Sequence, residues 1–298
     1  MDVDTRLLRS FLAVAEEGSL TRAAERVFVS QPALTKQIRH LETQLGVRLF
    51  DRSRAGMALT GPGRELAHLA PKVLAAWDDA RRATRAADRQ ASRVLRVGFI
   101  ASAANEATQE IVAAFARRRP GWRTELRQAA WTNPSAGLAT ADVDVALLRL
   151  PFPGQDALRI EPLFSEPRWV ALPSAHPLAG RDTIAFRDLW DEPFVAAPQE
   201  TGPWRDYWLA AVEREGHPVR IGAVTEQPDD WLNAIASGYG IALAPRSAAR
   251  FYSRPGVVYR PVTGVSPTQV AVAWAAADDR NPVVRDFVRC CLDLAREQ

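Results

Sequence analysis

Apolar side chains recur every three to four positions from Leu7 to Leu45, and the rhythm is broken at Gly18 and again at a short turn. Leu7, Leu8, Phe11, Leu12, Val14 and Ala15 predict an amphipathic helix over residues 4–17 that stops at Gly18. Ser19 is a good N-cap for a second helix, roughly 20–27, which would bury Leu20, Ala23, Ala24 and Val27. Phe28, Val29 and Ser30 form the turn. Ser30 then caps a third helix with Pro32 in its first turn, where a missing N–H costs nothing. That helix is expected to bury Leu34, Ile38, Leu41 and Leu45 and to end at Gly46, before a small hairpin bearing arginines. Its other face carries Gln31, Thr35, Lys36, Arg39 and His40, groups suited to base edges and phosphates as well as to plain solvation. Two short helices, a tight turn and a hairpin wing form a unit built to seat one helix in a DNA major groove.

A narrower pattern follows. Thr60 can cap a helix with Pro62 near its start, and Leu66, Leu69, Val73, Ala76, Ala80, Ala83 and Ala87 then form a heptad-like seam. Such a seam is exposed in a monomer and is covered by the same helix of a second copy; packing on its own domain is the alternative. Pro71 removes one helical hydrogen bond and is expected to kink the seam or delay its regular start.

From Val94 the period changes to alternating strands and helices. Strands are predicted at 94–99, 124–128 and 143–150, with helices around 105–118 and 134–141 between them. This β-α-β-α-β order implies a parallel α/β sheet. A second set comprises strands at 168–173, 193–197, 219–224 and 240–245, with helices at 203–215 and 229–237. The chain returns through a strand at 268–276 and a closing helix at about 282–296.

Composition narrows the classes. With 298 residues, 47% of them hydrophobic, the chain suits two or three domains. Residues 1–92 hold 15 Lys and Arg against 11 Asp and Glu, whereas residues 93–298 hold 23 against 24, so the basic surplus lies with the helix-turn-helix. Asp2, Asp4, Arg6 and Arg9 interrupt the first apolar residues, which argues against a signal peptide; no apolar run reaches membrane-spanning length, and a cytoplasmic location is expected. Cys290 and Cys291 are adjacent and cannot staple the fold; they are expected to pack as small reduced thiols, with a redox role as the lesser alternative. His40, His68, His176 and His217 are scattered, and neither a G-x-x-x-x-G-K loop nor a G-x-S-x-G elbow occurs. No catalytic residue, metal or cofactor is expected.

Residues 11–52 resemble, without a gap, the N-terminal signature of LysR-type transcriptional regulators. Phe11, Ala15, Gly18, Ser19, Ala23, Ala24, Ser30, Gln31, Pro32, Ala33, Leu34, Gln37, Ile38, Leu41, Glu42, Leu45, Gly46, Leu49, Phe50 and Arg52 carry the match. Similarity continues more loosely through His176, Pro177, Leu178 and the segment 236–245. The resemblance implies base or phosphate contacts from Gln31, Pro32, Thr35, Lys36 and Arg39, with Arg52 or Arg54 in the wing near the minor groove. It implies a multidomain α/β protein: a winged helix-turn-helix (1–60), a linker and dimerisation helix (61–92) and a two-lobed, periplasmic-binding-protein-like effector domain (93–298). Lobe 1 would span 93–164 and 267–298, and lobe 2 would span 165–266.

A small-molecule effector would bind between the lobes, at strand ends and helix starts. Candidate contacts are Ser102, Trp131, Thr132, Gln199, Thr201, Trp204 and Gln227, with Ser102 and Thr132 serving equally well as local caps. Trp231 is a further cleft candidate. The implied partners are a pseudo-palindromic double-stranded DNA operator, the effector, further copies of the chain in a homodimer or homotetramer, and RNA polymerase; no membrane is involved. An architectural DNA binder, and a solute-binding protein or enzyme carrying an added N-terminal domain, are the competing readings.

Overall fold

The first helix, α1 (Thr5–Glu17), begins where the Asp4 carboxylate accepts the Arg6 amide at 2.8 Å, and it ends at Gly18 in the left-handed region that glycine favours. The Arg6 backbone N–H and then its guanidinium hold the Asp4 carboxyl below its usual range. α2 (Leu20–Arg26) and α3 (Gln31–Leu45) follow, the latter capped by Ser30 Oγ, which accepts from Ala33 N at 3.3 Å. An antiparallel hairpin of β1 (Phe50–Ser53) and β2 (Gly56–Leu59) leads into α4 (Gly61–Ser92). The structure, a computed structural model, describes residues 4–27, 29–53, 56–100, 103 and 107–296, and the chain divides into two compact units, Met1–Asp88 and Arg89–Gln298.

In the first unit Phe11, Val14, Leu34, Ile38, Leu41 and Leu49 are buried together. Leu45, expected among them, is 38% exposed, because α3 ends there and the chain turns away at Gly46 before the side chain is covered. The Glu42 carboxylate accepts Leu49 N at 2.8 Å and Phe50 N at 3.3 Å, which fixes how the chain enters the hairpin. Gly18 O accepts Met57 N at 2.9 Å, and a Cβ on Gly56 would stand 2.5 Å from the same oxygen, so the hairpin lies directly on the α1–α2 turn. α4 runs through Pro71 as one helix, without the expected delay. Its Leu66, Ala67, Ala70 and Leu74 pack on the first unit's core; Leu66 therefore leaves the predicted seam for its own domain.

The second unit opens with β3 (Val94–Ile100), α5 (Thr108–Arg118), β4 (Arg123–Ala129), β5 (Val145–Leu150) and β6 (Leu158–Glu166). It continues with β7 (Arg168–Pro173), β8 (Ile184–Ala185), β9 (Pro193–Ala196), α6 (Pro203–Trp208), β10 (Arg220–Val224), α7 (Pro228–Ala236), β11 (Ala242–Pro245), α8 (Ala248–Phe251) and β12 (Val257–Thr263). β13 (Thr268–Ala275) and α9 (Pro282–Arg296) return to the start. One sheet has the order β4-β3-β5-β13-β6, with β4, β3 and β5 parallel and β13 antiparallel to both of its neighbours, β5 and β6. The other has the order β11-β7-β12-β8; the parallel pair β10 and β9 joins it through a bridge between Phe194 and Ile241.

The predicted helix over 134–141 is instead a run of turns, since Ala136, Gly137 and Ala141 all take positive φ. The predicted helix over 203–215 stops at Trp208 for the same reason, with Ala210 at φ 50°. Periodicity along the chain does not predict β6, β8 or β12. β6 and β12 contain Pro162 and Pro261, which read as breakers; Pro162 sits at a register shift on an edge strand, a place where a missing donor is tolerated.

The chain passes between the sheets twice, at Pro167 and at residues 264–267. Arg168, wholly buried, joins the two passages: it donates to Ser266 O at 2.6 Å, Ser266 Oγ at 2.8 Å and Tyr207 O at 2.6 Å, and pairs with Glu213. Arg89, at the start of this unit and 3% exposed, donates to Asp144 and, at 3.0 Å, to Asp278. Cys290 and Cys291 are both buried beside Phe287 on α9, and burial raises both thiols above their ordinary range.

Candidate functional site

Two surfaces have shapes suited to a partner. The first is the outer face of α3. Leu34, Ile38 and Leu41 are covered by the core, which leaves Gln31, Pro32, Lys36, Arg39 and His40 exposed and Thr35 half-buried. Gln37, on the flank, is tied down by Ser10 Oγ, which donates to its Oε1 at 2.6 Å. Thr35 Oγ1 donates to Gln31 O at 2.9 Å and accepts Gln31 Nε2 at 3.2 Å, so these two side chains are arranged as a pair. An amide, a hydroxyl and two long cations thus stand on one helix face, opposite a sealed apolar stripe.

The second surface is a cavity within the second unit, between its two sheets. Ile100, Trp131 and Arg149 line it from one side; α6, α7 and the ends of β9 and β11 line it from the other. Trp131 and Trp231 meet edge-to-face at 6.1 Å on its wall, and Trp131 N donates to Glu226 O at 3.2 Å. Trp204 and Trp208 form a second edge-to-face pair at 5.7 Å on α6. Arg149 is fully buried. Its Nη2 donates to Glu166 Oε1 at 2.7 Å, and Glu166 Oε2 accepts Ser247 N at 2.7 Å, so the pair is shared by strand ends of the first sheet and the start of α8. Burial nevertheless pulls the Arg149 pKa down, with Glu166 opposing that shift.

Two family descriptions cover nearly the whole chain: a bacterial regulatory helix-turn-helix protein of the lysR family over residues 5–64, and a LysR substrate binding domain over residues 88–296. The chain belongs to the LysR family of transcriptional regulators. Curated relatives include the HTH-type transcriptional regulator AlsR of Bacillus subtilis (strain 168), 30% identical over 96% of this chain and 94% of AlsR. Another is the Hca operon transcriptional activator HcaR of Escherichia coli (strain K12), 32% identical over 96% of each chain. Among solved structures, a full-length OxyR variant from Pseudomonas aeruginosa is 26% identical with a TM-score of 0.53, covering 97% of this chain and 100% of its own. Full-length CbnR complexed with its target DNA shares the fold at 24% identity and a TM-score of 0.54, covering 98% and 100%. Members of this family bind DNA and small-molecule effectors and form oligomers; they are regulators and not enzymes.

Of the residues that sequence marks for the regulator's DNA contacts, five share the exposed α3 face. Arg52 lies in β1, its side chain outside the described residues, and Arg54 falls outside them altogether. Of the effector candidates, Trp131 and Trp204 stand on the cavity wall. Thr132, Gln199 and Gln227 are exposed and are not among the residues that line it, and Thr201 is buried with its hydroxyl donating to Pro198 O at 2.7 Å. Ser102 lies outside the described residues. Arg149, Arg205, Trp208, Trp231 and Tyr252 also line the cavity. Trp231 carries a signal in the sequence, its place at the start of the predicted helix 229–237, but Arg149 ends an apolar strand and gives none. On α4, Leu69, Val73 and Trp77 are all about half exposed on one side of the regulator's connector. Trp77 lies outside the strict seam read from the sequence. Among the described residues no helix is long and apolar enough to cross a membrane, and no cluster of potential metal ligands occurs.

Proposed function

We propose that this regulator binds a pseudo-palindromic operator as a homodimer or homotetramer joined through α4 and the effector domains. A small molecule held in the cavity then alters DNA binding or promoter activation. Gln31, Pro32, Thr35, Lys36 and Arg39 meet bases and phosphates, Arg52 and Arg54 approach the minor groove, and RNA polymerase is the downstream partner in the cytoplasm. The reader is 1–60, the connector 61–92 and the effector domain 93–298, with lobe 2 at 165–266. The observation that carries the reading is the α3 face, where Lys36 and Arg39 stand exposed over a sealed Leu34, Ile38 and Leu41 stripe. The exposed Leu69, Val73 and Trp77 support pairing through α4, since a second copy removes them from water.

Two paired readers demand half-sites about one duplex turn, ~34 Å, or a multiple apart. The effector moves the population only by binding one assembly more tightly than another; a tenfold change in operator affinity needs about 1.4 kcal/mol of difference. Incubating the full-length protein with sheared genomic DNA from its source and sequencing the retained fragments tests this. A few enriched pseudo-palindromic sites are the expected result. Retention without sequence preference would favour an architectural binder.

A further inference from the structure

Among the described residues, the wall of the cavity carries two guanidiniums, Arg149 and Arg205, and no carboxylate. The charge of Arg149 is answered by Glu166, which does not line the cavity and whose Oε1 accepts Arg149 Nη2 at 2.7 Å. Arg205 is placed differently. Its Nε is buried and makes no hydrogen bond, and no carboxylate pairs with its guanidinium among the described residues. The side chain as a whole is half-buried, so the charge stays near water while one of its donors is shut away from it. An acceptor that enters the cavity satisfies such a donor, and an anionic acceptor makes a shorter and stronger bond to it than a neutral one.

The surroundings of Arg205 favour a ring on the same ligand. Arg205 and Trp208 lie three positions apart on α6 and share a face of it. Trp208 meets Trp204 edge-to-face at 5.7 Å, Trp131 meets Trp231 at 6.1 Å, and rings so arranged hold a further ring by complementary quadrupoles. Thr132, Gln199 and Gln227 do not line the cavity, which leaves a guanidinium to fix a ligand's polar end. The acids nearest to the wall in sequence, Asp229 and Asp230 beside Pro228, are exposed, and Asp229 pairs with Arg254 at 3.1 Å. Water and that partner screen them, so their opposition to an anion is weak.

We propose that the effector is an aromatic monocarboxylate whose anionic end accepts from Arg205 Nε while its ring packs among the tryptophans. This rests on the reading of the cavity as the effector site. Calorimetric titration of the full-length protein with two matched pairs tests it: benzoate against benzamide, and phenylacetate against phenylacetamide, at neutral pH. Each carboxylate is expected to bind saturably and about tenfold more tightly than its amide. Arg205→Gln is expected to remove that preference while leaving the amides within about twofold, and Arg205→Lys, which keeps the charge but has no Nε–H, to reduce it by about threefold. Amides that bind as tightly as the carboxylates would overturn the proposal, as would no saturable binding of any of the four. A carboxylate preference that survives Arg205→Gln, or is undiminished in Arg205→Lys, would overturn it too. Operator retention on the same preparation separates the two ideas. Intact operator binding without a carboxylate preference removes the ligand class and leaves the regulator; lost operator binding counts against the regulator reading by itself.

Discussion

Arg89 ties down the entry to the effector domain's first strands. Its guanidinium is buried against Asp144 and Asp278, while the second oxygen of Asp144 accepts Arg96 N at 2.8 Å. Burial raises the Asp144 carboxyl above its usual range despite Arg89, so removing the cation leaves a costly group behind. Arg89→Met is expected to destabilise the second unit by about 3–5 kcal/mol, measured by urea unfolding, the range found when one partner of a buried pair is deleted.

The adjacent thiols behave in the opposite sense to a sensor. Burial raises both pKa values, and the thiolate is the reactive form, so neither Cys290 nor Cys291 is expected to react with iodoacetamide in the native protein at pH 8. Unfolded thiols ionise near ~8.5 while the buried ones stay protonated. The folded chain therefore holds more protons above that pH, and stability falls as pH rises through the unfolded value. Rapid labelling under native conditions would refute this account.

At the scale of elements, α4 shows what periodicity conveys and what it leaves out. The heptad-like spacing of Leu69, Val73 and Ala76 is legible in the sequence, and those side chains are exposed. Leu66 fits the same spacing but is claimed by the core of its own unit, a tertiary fact that no local pattern encodes. Val73→Asp would place a charge in the paired seam, and a shift from dimer to monomer in sedimentation at micromolar concentration is the expected outcome; an unchanged oligomer would remove α4 from the interface. The helix-turn-helix is legible almost residue by residue, because its caps are local: Asp4, Ser30, Gly18 and Gly46 act on neighbours within a turn. The cavity is less so. Trp131 and Trp204 stand out through their place in a loop and at a helix start, whereas Arg149 and Trp208 reach the wall only because β5 and α6 are brought to one place by long-range pairing. The polar candidates Thr201 and Thr132 have side chains suited to a ligand, yet one spends its hydroxyl locally while the other faces solvent.

For the whole molecule, affinity and specificity for DNA separate by residue. Arg39→Ala is expected to cost about 1–3 kcal/mol and to relax preference at one operator position if it meets a base edge. If it meets a phosphate, all sequences weaken alike and the log–log salt slope falls by about one. Fluorescence anisotropy on wild-type and scrambled operators at several salt concentrations distinguishes these, and unchanged binding would strike Arg39 from the contact list. The modest basic surplus of residues 1–92 fits a protein whose hold on DNA rests on few, well-placed cations rather than on a broad field.

The edge-to-face contact of Trp131 with Trp231 has a practical side as well. The two indoles come from opposite walls of the cavity, with ring centroids 6.1 Å apart. Coupled indoles at that separation give near-ultraviolet dichroism that independent ones do not. Any parting of those walls would therefore change the spectrum, and the pair offers an optical gauge of the cavity that needs no attached dye.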